Sequence, residues 1–68
     1  MKNDDIKKLR EQLKLSQSGF AALVYANYHT VGKWENGLAR PRPVSDAKLK
    51  ELWLLTFGSV YTTDDTIT

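Results

Sequence analysis

The sequence predicts an all-α fold of four short helices followed by a C-terminal tail or strand. Three observations point to it: apolar residues recur at helical spacing in four segments, residues suited to capping stand where those segments begin, and strand-like alternation is confined to the last ten residues.

The first helix is expected to begin after Asn3 or Asp4, with acids in its first turn and Lys14 near its end, the charge order that the helix dipole favours. Ile6, Leu9 and Leu13 form its buried stripe. Ser16 is suited to cap a second helix in which Phe20, Leu23 and Val24 follow the i, i+3, i+4 rule. Tyr25 and Ala26 form the turn, and Asn27 caps a third helix with Thr30, Val31 and Trp34 on its inner side. Asn36 and Gly37 end it, glycine being suited to the left-handed C-cap. The stretch LARPRP, residues 38 to 43, is expected to be a surface loop, because proline removes a donor and biases the residue before it to extended geometry. Ser45 is placed as the cap of a fourth helix that runs to about Phe57, with Leu49, Leu52, Trp53 and Phe57 inward and Gly58 as its stop.

The 68 residues suffice for one domain with one small core, expected over residues 1–58, and are too few for a cofactor-binding crevice between domains. Residues 59–68 read either as a frayed tail or as a strand that pairs only with a partner chain. The absence of cysteine excludes disulfides and thiolate metal sites and fits a reducing cytoplasm. No apolar run approaches the ~20 residues that span a bilayer, and MKNDDIKKLR has no apolar stretch to make a signal peptide, so a soluble cytoplasmic protein is expected.

The net charge of +2 hides an asymmetry: residues 1–50 carry +5, including all ten lysines and arginines, and residues 51–68 carry −3. A basic body implies an anionic partner.

A short connection around residues 25 to 27 joins the second and third helices, which makes them cross steeply in a helix-turn-helix layout. The stretch LSQSGFAALVYANYHTVGKWENG then resembles the signature of the Cro/CI-like (XRE-type, lambda-repressor-like) family of phage and bacterial transcriptional repressors. The agreement lies at Leu15, Ser16, Gln17, Phe20, Ala21, Thr30, Val31, Trp34, Glu35 and Gly37, within a match covering residues 6 to about 43. The family usually has glycine in the turn where this chain has Tyr25, so either the turn avoids positive φ or Tyr25 is strained. Members usually carry five helices, whereas four are clear here.

The resemblance implies sequence-specific binding of double-stranded DNA, with the third helix, about 27–36, in the major groove. Tyr28, His29, Gly32 and Lys33 occupy the positions that read bases in similar repressors. Lys33 suits guanine O6 and N7, His29 a purine edge, and Tyr28 a thymine methyl or a phosphate. Gly32 costs roughly 1 kcal/mol of helix propensity relative to alanine, but its missing Cβ would let the backbone approach the bases. Gln17 is implied to touch a phosphate and to brace residue 28. Asn27, Asn36, Arg40 and Arg42 would continue the phosphate contacts. Glu35 is implied to pair with a basic residue of the first helix, and Arg10 is the match.

An enzyme is not expected: His29 is the single histidine, without a second histidine or a cysteine to share a metal, and no glycine-rich phosphate loop is present. No cofactor or small-molecule ligand is implied. The remaining alternatives are a repressor that binds a palindromic operator as a homodimer, with Leu55, Phe57, Val60 and Tyr61 in the dimer contact, and an antitoxin or protein-interaction module on the same fold. The polar outer face favours DNA, since a protein-binding face would expose more apolar and aromatic area.

Overall fold

The computed structural model describes residues 1–62. Among them are four helices and no strand: α1 (Asn3–Gln12), α2 (Gln17–Leu23), α3 (Tyr28–Glu35) and α4 (Pro43–Phe57). α3 packs against both α1 and α2, and α4 lies across α1. One buried cluster joins Ile6 and Leu9 of α1, Phe20 and Ala21 of α2, Val24 at the end of α2, Val31 and Trp34 of α3, and Leu49 of α4. Burying each of the larger side chains contributes about 1.5–3 kcal/mol, so the core is modest and polar contacts at its edge weigh heavily. No helix among the described residues is long and apolar enough to cross a membrane.

The helix starts follow from the residues that precede them. The Ser16 hydroxyl accepts the Gly19 amide at 3.1 Å, and the Asn27 Oδ1 accepts the Thr30 amide at 2.9 Å. α4 departs from expectation: it starts at Pro43, two residues before Ser45, with Arg42 in the cap position. Proline suits the first helical position because its fixed φ is already helical and its missing N–H would have had no partner there. Ser45 is therefore not a cap. It is buried inside the first turn, and its hydroxyl donates to the Val24 carbonyl at 2.7 Å, which ties the start of α4 to the end of α2.

The first three helices end alike. Each places a residue at positive φ, Lys14 (+59°), Tyr25 (+60°) or Gly37 (+74°), and the next amide reaches back five residues: Leu15 to Arg10, Ala26 to Ala21 and Leu38 to Lys33. This closure satisfies carbonyls that the helix end leaves unpaired. Lys14 thus lies beyond α1, not within its last turn. The turn before α3 does adopt positive φ at Tyr25, where a side chain costs about 1–2 kcal/mol. Tyr25 is 66% exposed and loses little packing if removed. Tyr25→Gly is expected to raise the unfolding free energy by about 1 kcal/mol in a urea titration, and a decrease would show that the turn is not strained.

Leu23, expected inward, is 41% exposed, and Ala21 takes its place in the core. The buried residues Phe20, Ala21 and Val24 span an arc of about 100° on α2, and Leu23 lies about 60° outside it. Trp53 is half-buried, with its ring 4.3 Å from Phe57 and edge-on to Tyr61 at 4.9 Å, and Lys8 covers this aromatic face.

The expected tail, residues 59–68, falls within the described residues only to Thr62. Tyr61 is buried against its own chain: its hydroxyl donates to Asp5 at 2.6 Å and accepts the Lys2 amide at 3.1 Å. Burial and the bond to Asp5 push its phenol above the ordinary range. Tyr61 is thereby corrected from the expected dimer contact to an intramolecular anchor. Phe57 is likewise engaged within the chain, whereas Leu55 and Val60 remain exposed.

Candidate nucleic-acid interface

Between Gln12 and Ser45 the chain contains a single acid, Glu35, alongside Lys14, Lys33, Arg40 and Arg42. The fold withdraws that acid from the surface. The Glu35 side chain is 5% exposed and is gripped from two elements: Arg10 Nε and Nη2 donate to it at 2.6 and 3.2 Å, and Gln17 Nε2 donates at 3.2 Å. Arg10 also donates to the Leu15 carbonyl at 3.0 Å, which closes the α1–α2 corner. The hydrogen bond to Glu35 raises the Arg10 pKa further, so the guanidinium stays charged throughout the ordinary pH range.

Neutralising Glu35 leaves a cationic surface beside α3. A groove between α3 and the loop that follows it is lined by Asn27, Thr30, Lys33, Arg40 and Arg42, and no acidic side chain among the described residues lines it. The cations come from two separate chain segments, so the groove depends on the fold and not on a local charge run. Thr30, expected on the inner side of the helix, is half-buried, and its hydroxyl donates to Asn27 Oδ1 at 3.0 Å. The three-residue spacing from cap to threonine is the sequence signal for this contact. Asn27 Oδ1 is thus occupied with capping, and its Nδ2 is the part of the side chain suited to donating to an anion.

At the outer end of α3, Tyr28 and His29 are exposed and their rings lie 4.0 Å apart at 31°. Gly32 is half-buried and sits beside Gln17: a methyl group built on it would lie 3.8 Å from both Nε2 and Oε1 of that side chain. Gln17 therefore braces Glu35 and flanks Gly32, in place of the expected contact with residue 28. The reason is electrostatic, because a carboxylate is a stronger acceptor for the amide N–H than any group of Tyr28. Asn36 stays exposed and folds back along its own helix, donating through Nδ2 to the Gly32 carbonyl at 2.9 Å. From α1, the Asn3 side chain donates to the Glu35 carbonyl at 3.4 Å, so α1 helps to close the end of α3.

The structure thus brings Asn27, Lys33, Arg40 and Arg42 to one groove, presents Tyr28 and His29 next to it, and joins Arg10, Gln17 and Glu35 into a network behind it. Among the described residues no group of three or more acidic, histidine or cysteine side chains is placed to hold a metal ion. The chain matches no family model, no curated protein and no solved structure.

Proposed function

We propose that this protein is a sequence-specific DNA-binding transcriptional regulator, most simply a repressor, in which α2 and α3 act as a helix-turn-helix similar to that of Cro/CI-type proteins. The observation that carries the reading is the acid-free groove of Lys33, Arg40 and Arg42 alongside the exposed outer face of α3. A duplex backbone carries one negative charge per ~1.7 Å of axis, and a strip of cations next to an exposed polar helix matches that pattern. In this reading Tyr28, His29, Gly32 and Lys33 face base edges and Arg40, Arg42 and Asn27 position the backbone, while Gln17 and Asn36, expected on the phosphates, act as braces through their bonds to Glu35 and to the Gly32 carbonyl. One small module covers too little surface for high specificity, so a homodimer on a palindromic operator is proposed, with half-sites about 34 Å apart.

The two contact classes respond differently to salt. Arg42→Ala should weaken binding to all duplexes alike and reduce the slope of log affinity against log salt by about 1, the release of one phosphate's counterion. A slope equal to the parent's in a salt titration would remove Arg42 from the backbone contacts.

Gly32 tests the face directly. Because a methyl group at Gly32 meets only ordinary van der Waals contact with Gln17, Gly32→Ala should stabilise the free fold by about 1 kcal/mol through helix propensity. If α3 enters the groove as proposed, it should also alter operator preference, because the methyl group lies against Gln17 and thickens the side of α3 that must approach the duplex. A variant that is more stable yet unchanged in preference would place Gly32 away from DNA.

A further inference from the structure

We infer that α4 carries a self-complementary stripe by which two copies of this chain pair antiparallel. Val44, Lys48, Glu51 and Leu55 are spaced i, i+4, i+7 and i+11, which at about 100° per residue confines them to an arc of about 60° on the side of α4 turned away from buried Leu49. Val44 is 58% exposed and Leu55 73%, and neither belongs to the core or packs against it. Between them Lys48 and Glu51 are joined at 2.9 Å.

The order of the four is what selects the partner. Residues 44 and 55, and residues 48 and 51, are equidistant from the midpoint between Leu49 and Lys50. A twofold axis through that midpoint sets Val44 against the second copy's Leu55 and Lys48 against its Glu51, and each contact then occurs twice. Apolar ends meet apolar ends, each charge meets its opposite, and the two helix dipoles run antiparallel. A parallel pairing would oppose Lys48 to Lys48 and Glu51 to Glu51. The inference gives an interface to the homodimer proposed above, but its evidence lies on α4 alone and does not depend on DNA.

Three turns of one helix bury less than the ~1,200 Å² of a standard interface, so the pairing is weak in free solution. It is tested by sedimentation equilibrium of the full chain, without DNA, up to concentrations on the order of 1 mM. Lys48→Glu and Glu51→Lys each turn two attractions into two repulsions and should weaken self-association at least about tenfold. An equimolar mixture of the two variants should associate again, because the two carboxylates of the first variant then face the two ammonium groups of the second. All four positions are exposed or half-exposed, and circular dichroism checks that each variant keeps its helices. Register is read separately by oxidation. The double variant Val44→Cys with Leu55→Cys should give a disulfide-linked dimer, whereas Val44→Cys alone should not, since its two copies would lie about 16 Å apart. A parent monomeric at every concentration, charge variants that associate as well as the parent, or linking of Val44→Cys alone at the rate of the double variant would each overturn the proposal. Failure here leaves binding of a half-site duplex untouched, and that binding is measured independently.

Discussion

Glu35→Ala is expected to unfold the domain at 25 °C. Glu35 is the acceptor for three donors, Arg10 Nε and Nη2 and Gln17 Nε2, at 2.6 to 3.2 Å, and only 5% of its side chain is exposed. Removing it leaves a guanidinium that is itself only 16% exposed without its counter-charge, at a cost of about 3–5 kcal/mol. A single core of this size supplies roughly 3–5 kcal/mol in total, so the loss equals the stability that exists. Circular dichroism in buffer should show loss of helix, and a variant within about 1 kcal/mol of the parent would mean that the network is only peripheral. Glu35→Gln, which keeps one acceptor and the volume, should fall between the two. Replacing both members of the pair, Arg10→Met with Glu35→Leu, should recover most of the loss, because a buried pair exchanged for apolar side chains is often neutral.

The second large effect concerns Lys33, which stands where the exposed outer face of α3 meets the groove lined by Arg40 and Arg42. Lys33→Ala should weaken operator binding by roughly 1–3 kcal/mol and relax discrimination at one base pair, since a lysine that donates to guanine O6 and N7 distinguishes it from the other bases. The salt slope separates this from a backbone role. If Lys33→Ala weakens every duplex equally and lowers the slope by about 1, Lys33 belongs with Arg42 on the phosphates.

What could be read in the sequence followed from strong local rules, and what could not depended on tertiary contact. The four helices, the caps Ser16 and Asn27 and the stop at Gly37 rest on spacing and backbone chemistry, which act within a few residues. Ser45 looks like a cap by the same rules, but Pro43 two residues earlier competes for the start of α4, and the Val24 carbonyl, 21 positions away, draws the hydroxyl into the interior. Leu23 fits the apolar pattern of α2, yet a seven-residue helix has little periodicity to fix its face, and the folded chain buries Ala21 in place of Leu23. Tyr61 belongs to a polar, threonine-rich stretch with only a short strand-like alternation and no helical spacing. Its burial follows from Asp5, the Lys2 amide and the edge of Trp53, which only the folded chain brings together.

The site shows the same division. Types and positions in α3 suggest an outward polar face, and the exposure of Tyr28, His29 and Lys33 is a consequence of Val31 and Trp34 being drawn inward. The orientation of the amides was not legible. Gln17 turns to Glu35 and Asn36 to the Gly32 carbonyl because each finds a nearer or more strongly charged acceptor than sequence spacing reveals.

Selection from a pool of random duplexes, read by sequencing, tests the central proposal most directly. The full chain, shown to be folded, is expected to enrich one palindromic motif whose half-sites lie about one helical turn apart, with discrimination concentrated at the few base pairs that Tyr28, His29 and Lys33 reach. A folded protein that enriches no motif, binding all duplexes alike or none, would contradict sequence-specific recognition and favour a protein partner for this fold.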